Sequence, residues 1–286
     1  MVLAAVGQFC ATSNLAQNAQ IIKSLIHKAS AAGASVLFLP EASDYIAGSP
    51  AESLELAKPI DTSEIFVNGI LAGLKEIPEN AVKPYVSVGV HEPTEGGKRV
   101  KNTLLWVEPD GTVRHRYQKI HLFDVDISNG PILKESNSVE PGNQVLPPFD
   151  TPIGRLGSAI CYDIRFPELA LRLRSLGAEV LVFPSAFTVR TGAAHWEILA
   201  RARAIDTQCY VIMAALTGTH DKAGKRQSYG HSIIVDPWGT VLAQAPDVDT
   251  EPRIITADID LSVLKRVREN MPLWTQRRPD VLGYEV

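Results

Sequence analysis

The chain is 286 residues long, 45% hydrophobic, and carries a formal net charge of −4. That length suits one large α/β domain or two small ones, and that apolar content supports a sizeable core and argues against a disordered chain. The mild negative charge without a basic stripe argues against nucleic acid as a partner, and no apolar run approaches the roughly 18 residues of a membrane span.

Val2 to Phe9 reads as a buried strand from the first residues. It lacks the charged start of a signal peptide and the Arg/Ser-rich character of a transit peptide, so a cytoplasmic protein is expected, with a mitochondrial form reachable through an alternative start. From Leu15 to Ala32, Ile21, Ile22, Leu25, Ile26 and Ala29 share one helical face, and Gly33 stops the helix. Val36 to Leu39 is a short strand ended by Pro40. The Pro/Gly-rich stretches at 78–84 and 141–152 predict loops. Pro109-Asp110-Gly111-Thr112-Val113 and Pro237-Trp238-Gly239-Thr240-Val241 each predict a hairpin turn between β-rich runs. Leu169, Leu173 and Leu176 form a second helical stripe, Gly177 stops it, and Val180 to Phe183 is ended by Pro184. Near the end, Leu261 to Asn270 is amphipathic. With the tail Met271-Pro272-Leu273-Trp274 it is free either to cover a neighbour or to cap its own sheet.

The chain echoes itself. Gly33-Ala34-Ser35-Val36-Leu37-Phe38-Leu39-Pro40-Glu41-Ala42 matches Gly177-Ala178-Glu179-Val180-Leu181-Val182-Phe183-Pro184-Ser185-Ala186, 144 residues later, and the two Pro-x-Gly turns follow in the same order. The doubling predicts a pseudo-twofold fold in which two sheets pack face to face with helices outside, burying both apolar strand faces. No linker or composition break interrupts it, so residues 1–286 read as a single domain.

Three cysteines, Cys10, Cys161 and Cys209, are odd in number and far apart, without a C-x-x-C pair. This disfavours a disulfide framework or a cysteine-rich zinc site and suits a reducing compartment. Cys161 stands on the bend between an apolar run ending at Ile160 and a helical run starting near Phe166-Pro167. A helix start supplies unpaired N–H groups and the positive dipole end, which favour a thiolate nucleophile. The alternative is a buried cysteine acting as a small hydrophobe. Three more residues stand at element ends: Glu41 after the strand 36–39, Lys119 after Arg116-Tyr117-Gln118, and Glu135 in the loop 131–136. Cysteine, lysine and carboxylates can divide acyl transfer between nucleophile, oxyanion partner and proton shuttle. Spacing alone does not bring them together. By the doubling, Glu41 and Ser185 occupy equivalent strand ends, so the site would be asymmetric.

Phe38-Leu39-Pro40-Glu41-Ala42, Tyr117-Gln118-Lys119-Ile120-His121-Leu122-Phe123-Asp124 and Ile160-Cys161-Tyr162-Asp163-Ile164-Arg165-Phe166-Pro167-Glu168, in this order, resemble the nitrilase superfamily of carbon–nitrogen hydrolases. The resemblance runs from Gln8 to about Asp280. It implies an α/β fold, the four-layer αββα sandwich with a pseudo-twofold internal repeat, and a Glu-Lys-Cys triad on Glu41, Lys119 and Cys161, with Glu135 orienting Lys119. It implies attack by Cys161 on an amide carbonyl, with Glu41 as proton shuttle and Lys119 and the backbone N–H of Tyr162 at the oxyanion. A thioester forms and is then hydrolysed, without metal or organic cofactor, in a chain that forms a homodimer.

Within the family the segments around Gly7–Cys10, Phe183–Thr188, Thr191–Glu197, Arg201–Tyr210 and Ser228–Ser232 resemble the branch that hydrolyses deaminated glutathione to 2-oxoglutarate and cysteinylglycine, a metabolite repair. The neighbouring branch takes 2-oxoglutaramate or 2-oxosuccinamate. A small acidic amide needs a cation, for which Arg165 is the first candidate and Arg190 the second; Thr188, Phe187 and His195 are placed with them at the pocket. Arg165 could instead pair with Asp163 or Glu168, and Arg201 and Arg203 read as structural ion pairs. His121, His195 and His231 lack the spacing of helix-borne metal ligands. Relatives often carry Glu at Gln227, and the loop 217–226 is short, which touches the leaving-group preference and not the triad. The reading from another class is a non-catalytic scaffold that binds a metabolite.

Overall fold

The computed structural model describes residues 1–57, 60–126 and 132–283. Its first half runs β1 (Val2–Gln8), α1 (Leu15–Ala31), β2 (Val36–Phe38), α2 (Pro50–Leu56), α3 (Ile60–Lys75), β3 (Tyr85–Pro93), β4 (Val100–Val107) and β5 (Val113–Gln118). A ribbon of β6 (Asp124–Asp126) and β7 (Ile132–Lys134) and the short β8 (Val139–Glu140) follow. The second half runs β9 (Phe149–Thr151), β10 (Gly154–Ser158), α4 (Pro167–Ser175), β11 (Val180–Val182), α5 (Val189–Thr207) and β12 (Tyr210–Met213). Then come the ribbon β13 (Thr217–Thr219) and β14 (Gln227–Tyr229), β15 (Ile233–Val235), β16 (Val241–Gln244), β17 (Arg253–Ile259), α6 (Leu261–Asn270) and α7 (Pro279–Leu282).

Two sheets carry the fold. One is ordered β17-β1-β2-β3-β4-β5, with β8 beside β4; the other is ordered β16-β15-β12-β11-β10-β9. Each has an antiparallel edge strand, three parallel strands and two further antiparallel strands. The repetition extends to register. Val36 faces Tyr85 as Val180 faces Tyr210, and a bulge falls between Trp106 and Val107 as another falls between Ile234 and Val235. The sequence echo is therefore a structural one, and its two Pro-x-Gly turns join β4 to β5 and β15 to β16.

Local chemistry sets the element ends. The Asn14 side chain caps α1 by accepting from the Gln17 N–H, and Pro167 opens α4 where a missing N–H does no harm. Gly33 and Gly177 follow these helices with φ of 76° and 97°, the left-handed geometry that ends a helix.

Alternation along the strands then builds four layers. On one face of the first sheet Ala5, Leu37, Val86 and Val88 pack with Ile22, Leu25 and Ile26 of α1 and Ile70 and Leu74 of α3. On the other face Ala4, Val6, Val36 and Phe38 join Leu156, Val180, Val182 and Ile212 of the second sheet. The Trp106 ring of β4 meets the Phe149 ring of β9 edge-on at 5.5 Å, directly across the sheet interface. Leu181, one residue out of phase, turns outward beside Gly157 and Leu173 of α4. The result is the αββα sandwich expected from the doubling.

The C-terminal run caps its own sheet. Leu264 of α6 is buried, Arg268 donates to the carbonyls of Ala178 and Gln208 at 2.9 and 3.1 Å, and Gln208 donates to the Met271 carbonyl at 2.6 Å. Trp274 lies beneath the guanidinium groups of Arg174 and Arg277. Of the loop expected at 131–136, Pro131 lies outside the described residues; the rest forms β7 and the start of a 3-10 turn.

Candidate active site

Four element ends converge. Glu41 leaves β2 through Pro40 and is clamped against β3. Leu39 donates to Ser87 O, Gly89 donates to Pro40 O, and Ser43 donates to Gly89 O, at 2.8 to 3.0 Å. A Cβ on residue 89 would lie 2.5 Å from the Glu41 Cα, so only glycine permits this approach. Lys119 leaves β5, its N–H bonded to Asn102 O at 2.9 Å and its carbonyl accepting from Gly142 at 2.7 Å. Cys161 leaves β10 with φ of 47°, a strained value for a residue with a Cβ, and opens a 3-10 turn, Cys161–Arg165. Glu135 opens the turn Glu135–Asn137.

The side chains form one buried network. Lys119 Nζ lies 2.8 Å from Glu41 Oε1 and 3.1 and 2.9 Å from the two oxygens of Glu135. Asn102 Nδ2 donates to Glu41 Oε1 at 2.7 Å and to Glu135 Oε1 at 3.2 Å. The N–H of Ala186 donates to Glu41 Oε2 at 3.0 Å, and the N–H of Phe123 to Glu135 Oε2 at 2.7 Å. The Cys161 thiol faces the Glu41 carboxylate closely enough for each to shift the other's titration. Glu41, Lys119 and Cys161 are 5%, 2% and 8% exposed, so these charges act in a medium where water screens them little.

Electrostatics fixes the resting protons. Burial pushes the Glu41 carboxyl up, but the Lys119 ammonium and hydrogen bonds from Lys119, Cys161 and Asn102 outweigh it and leave the group below its ordinary value. Burial pushes Lys119 down, yet Glu135 and Glu41 beside it hold it well above the usual lysine range. Burial and the Glu41 charge drive the Cys161 thiol well above the ordinary thiol range, against the pull of Lys119. This corrects the expectation of a thiolate prepared by a helix start. The helix begins only at Pro167, and the sulfur faces a carboxylate. The resting site holds a thiol, a carboxylate and an ammonium.

A second network ties the nucleophile turn to the lysine strand. The fully buried Asp163 accepts from Tyr117 Oη and Ile160 N at 2.7 and 2.9 Å and from His121 N at 3.0 Å, with His121 Nδ1 at 2.7 Å. Tyr162 is the second residue of the 3-10 turn, where an N–H has no partner within the turn.

Arg165 pairs with neither Asp163 nor Glu168. Its guanidinium lies 5.8 and 5.3 Å from the ring centres of Tyr162 and Phe187, and Nη1 is 3.2 Å from His195 Nδ1. Arg165, Phe187 and His195 thus come together beside Ala186 and Cys161. Arg190 is exposed on the first turn of α5 and joins none of these contacts. Thr188 is committed as the cap of α5, its hydroxyl accepting from Thr191 N. Arg203 bonds Asp206 and the Ile164 carbonyl, and Arg201 bonds Glu197 and the Gly239 carbonyl, as the structural pairs expected of them. Sequence reasoning missed Asn102, Asp163, Tyr117, Gly89 and Ala186. Asn102 gave little signal, because it stands in the polar stretch Lys101-Asn102-Thr103 ahead of the apolar run of β4.

Comparison with known proteins places this geometry. The family model for carbon–nitrogen hydrolases matches residues 3–269. The chain is 49% identical over 276 residues to the probable hydrolase nit2 of Schizosaccharomyces pombe, covering 96% of both chains. It is 43% identical to the deaminated glutathione amidase of Mus musculus, covering 98% of this chain and 84% of that one. Among solved structures, the NitFhit protein of Caenorhabditis elegans superposes with a TM-score of 0.89 at 41% identity, over 99% of this chain and 66% of that one.

Proposed function

The chain belongs to the carbon–nitrogen hydrolase family, and from that premise we propose that it is an amidase that cleaves deaminated glutathione to 2-oxoglutarate and cysteinylglycine through a thioester on Cys161. The observation that carries the chemistry is the buried convergence of Cys161, Glu41 and Lys119, with the Lys119 ammonium 2.8 Å from Glu41. The substrate rests on the name of relatives such as the mouse protein.

As Sγ attacks the amide carbon, its proton passes to Glu41 and the carbonyl π pair moves onto oxygen. The oxyanion is met by Lys119 and the N–H of Tyr162, donors already in place in a site poor in water. Collapse breaks the C–N bond, and Glu41 hands its proton to the departing amine. Glu41 then takes a proton from water as it attacks the thioester, and Cys161 leaves and is reprotonated. Glu135 holds Lys119 throughout. Arg165, paired with no carboxylate among the described residues, receives the carboxylate of the 2-oxo acyl group.

A homodimer and a place in the cytosol complete the reading. The dimer is supported by an apolar strip on α5 and its neighbouring hairpin, Ile198, Ile205 and Trp238, exposed by 69%, 46% and 58%. The reducing compartment is supported by three free cysteines.

The test is 2-oxoglutarate release from deaminated glutathione and from 2-oxoglutaramate, side by side, with Cys161→Ala as control. A higher kcat/KM for deaminated glutathione, abolished in the variant, is expected. Preference for 2-oxoglutaramate would keep the mechanism and move the substrate to the smaller amide. Release from neither would sink both substrates and favour a metabolite-binding scaffold.

A further inference from the structure

Asn102 stands on β4 between Lys101 and Thr103, and is only 3% exposed. Both of its amide protons go to carboxyl groups, one to Glu41 Oε1 and one to Glu135 Oε1. Its Oδ1 is buried without a partner among the described residues. An unpaired buried carbonyl oxygen is a penalty. The reverse orientation would aim that oxygen at two carboxyl groups. The fold therefore accepts the orphan in order to keep two donors on the acids.

The consequence lies in the lone pairs of Glu41. A carboxylate offers about two acceptor sites on each oxygen. On Oε1 both are filled, by Lys119 Nζ at 2.8 Å and Asn102 Nδ2 at 2.7 Å. On Oε2 a single fixed donor stands, the N–H of Ala186 at 3.0 Å. We propose that Asn102 is a positioning residue that closes Oε1 to protons, so that Oε2 is the oxygen that takes the Cys161 proton. The inference rests on the reading of Glu41 as the base. During attack the Sγ–C bond forms, the sulfur proton moves to Oε2, and the carbonyl π pair becomes the oxyanion. On collapse the C–N bond breaks and that same proton moves from Oε2 to the amine nitrogen. A proton on Oε1 would have to displace Lys119 or Asn102, and could return only after they rearranged.

Asn102→Leu removes both donors at nearly constant volume, and Asn102→Ser keeps one hydroxyl in a smaller side chain; the proposal is tested on whichever gives the parent's circular dichroism. Active sites are counted as chains in the folded, monodisperse gel-filtration fraction, so unfolded chains do not enter the rate. Turnover per counted site is expected to fall about 10- to 100-fold with KM nearly unchanged. The acid limb of kcat/KM is expected to move up by about one pH unit, because Glu41 loses a donor to its ionised form. An unchanged rate and an unchanged acid limb per counted site overturn the proposal, whatever happens to the melting temperature. Glu41→Gln is run alongside. If that variant keeps its activity, the reading of Glu41 as the base has failed, which is a different result from the failure of Asn102 to matter.

Discussion

At the residue scale the site reinforces the proton placement that neutral solution already favours. Glu41 is ionised below the ordinary carboxylate range, while Lys119 and Cys161 keep their protons well above theirs. The sign of the pH dependence follows. Activity needs Glu41 deprotonated and Lys119 protonated, so kcat/KM is expected to be flat across neutrality and to fall on the acid side only below the ordinary carboxylate range. An acid limb near pH 6–7 would mean that Glu41 is not held down by Lys119. Cys161, Glu41, Lys119 and Glu135 were legible in the sequence because each sits in a short motif at an element end. Asn102 and Asp163 were not, because their meaning lies in partners far along the chain. Asn102 reaches Glu41 across 61 positions, and Asp163 meets Tyr117 across 46. The resting thiol was misread for the same reason. Proximity to a helix start is visible in sequence, and the facing carboxylate is not.

At the element scale, strong periodicity and glycine or proline stops made β1, α1, β2, α4 and β11 readable. The ribbons β6–β7 and β13–β14 were not, because their short, mostly polar strands lack the apolar run between glycine and proline stops that marked β2 and β11. The fate of α6 was open because amphipathicity says that a face is buried and not against what. The β13–β14 ribbon carries its own pH sensitivity. His220 is buried between the Ala11 carbonyl, to which Nδ1 donates, and the Ser228 hydroxyl on Nε2, and burial pushes it down to about 4. The unfolded chain binds this proton near pH 6.5 and the folded chain does not until about pH 4. His220 therefore stabilises the neutral fold above about pH 6.5, and that contribution is lost as pH falls toward 4, on the order of 2–3 kcal/mol. Chemical denaturation of His220→Gln against the parent is expected to show a shallower loss of stability between pH 6.5 and 4. Equal slopes would refute the assignment.

At the scale of the whole molecule, the duplicated halves meet at the site. Glu41 ends β2, and its Oε2 is held by the N–H of Ala186, beside the residue that occupies the equivalent position after β11. This asymmetry was legible from the Glu41–Ser185 match, but the contact between the two loops was not, since an echo gives equivalence and not proximity. The outer surface of α5 supplies the remaining expectation. Ile198→Lys combined with Trp238→Lys is expected to convert a dimer to a monomer by light scattering, with the αββα fold retained by circular dichroism. A dimer that survives both charges would place the interface elsewhere.

The pairing of β1 with β17 sets Val2 opposite Ile259 and Gln8 opposite Arg253. β1 is made long before β17 and must wait for it. Until then β1 has an open edge, its N–H and C=O groups unpaired, in a chain already carrying most of its apolar surface. Such a long closure slows folding. The nucleophile turn lies before that point, so a nascent chain displays Cys161 before its first sheet is closed. For this protein the interval of greatest exposure to aggregation and to thiol oxidation is its own synthesis, until β17 reaches β1.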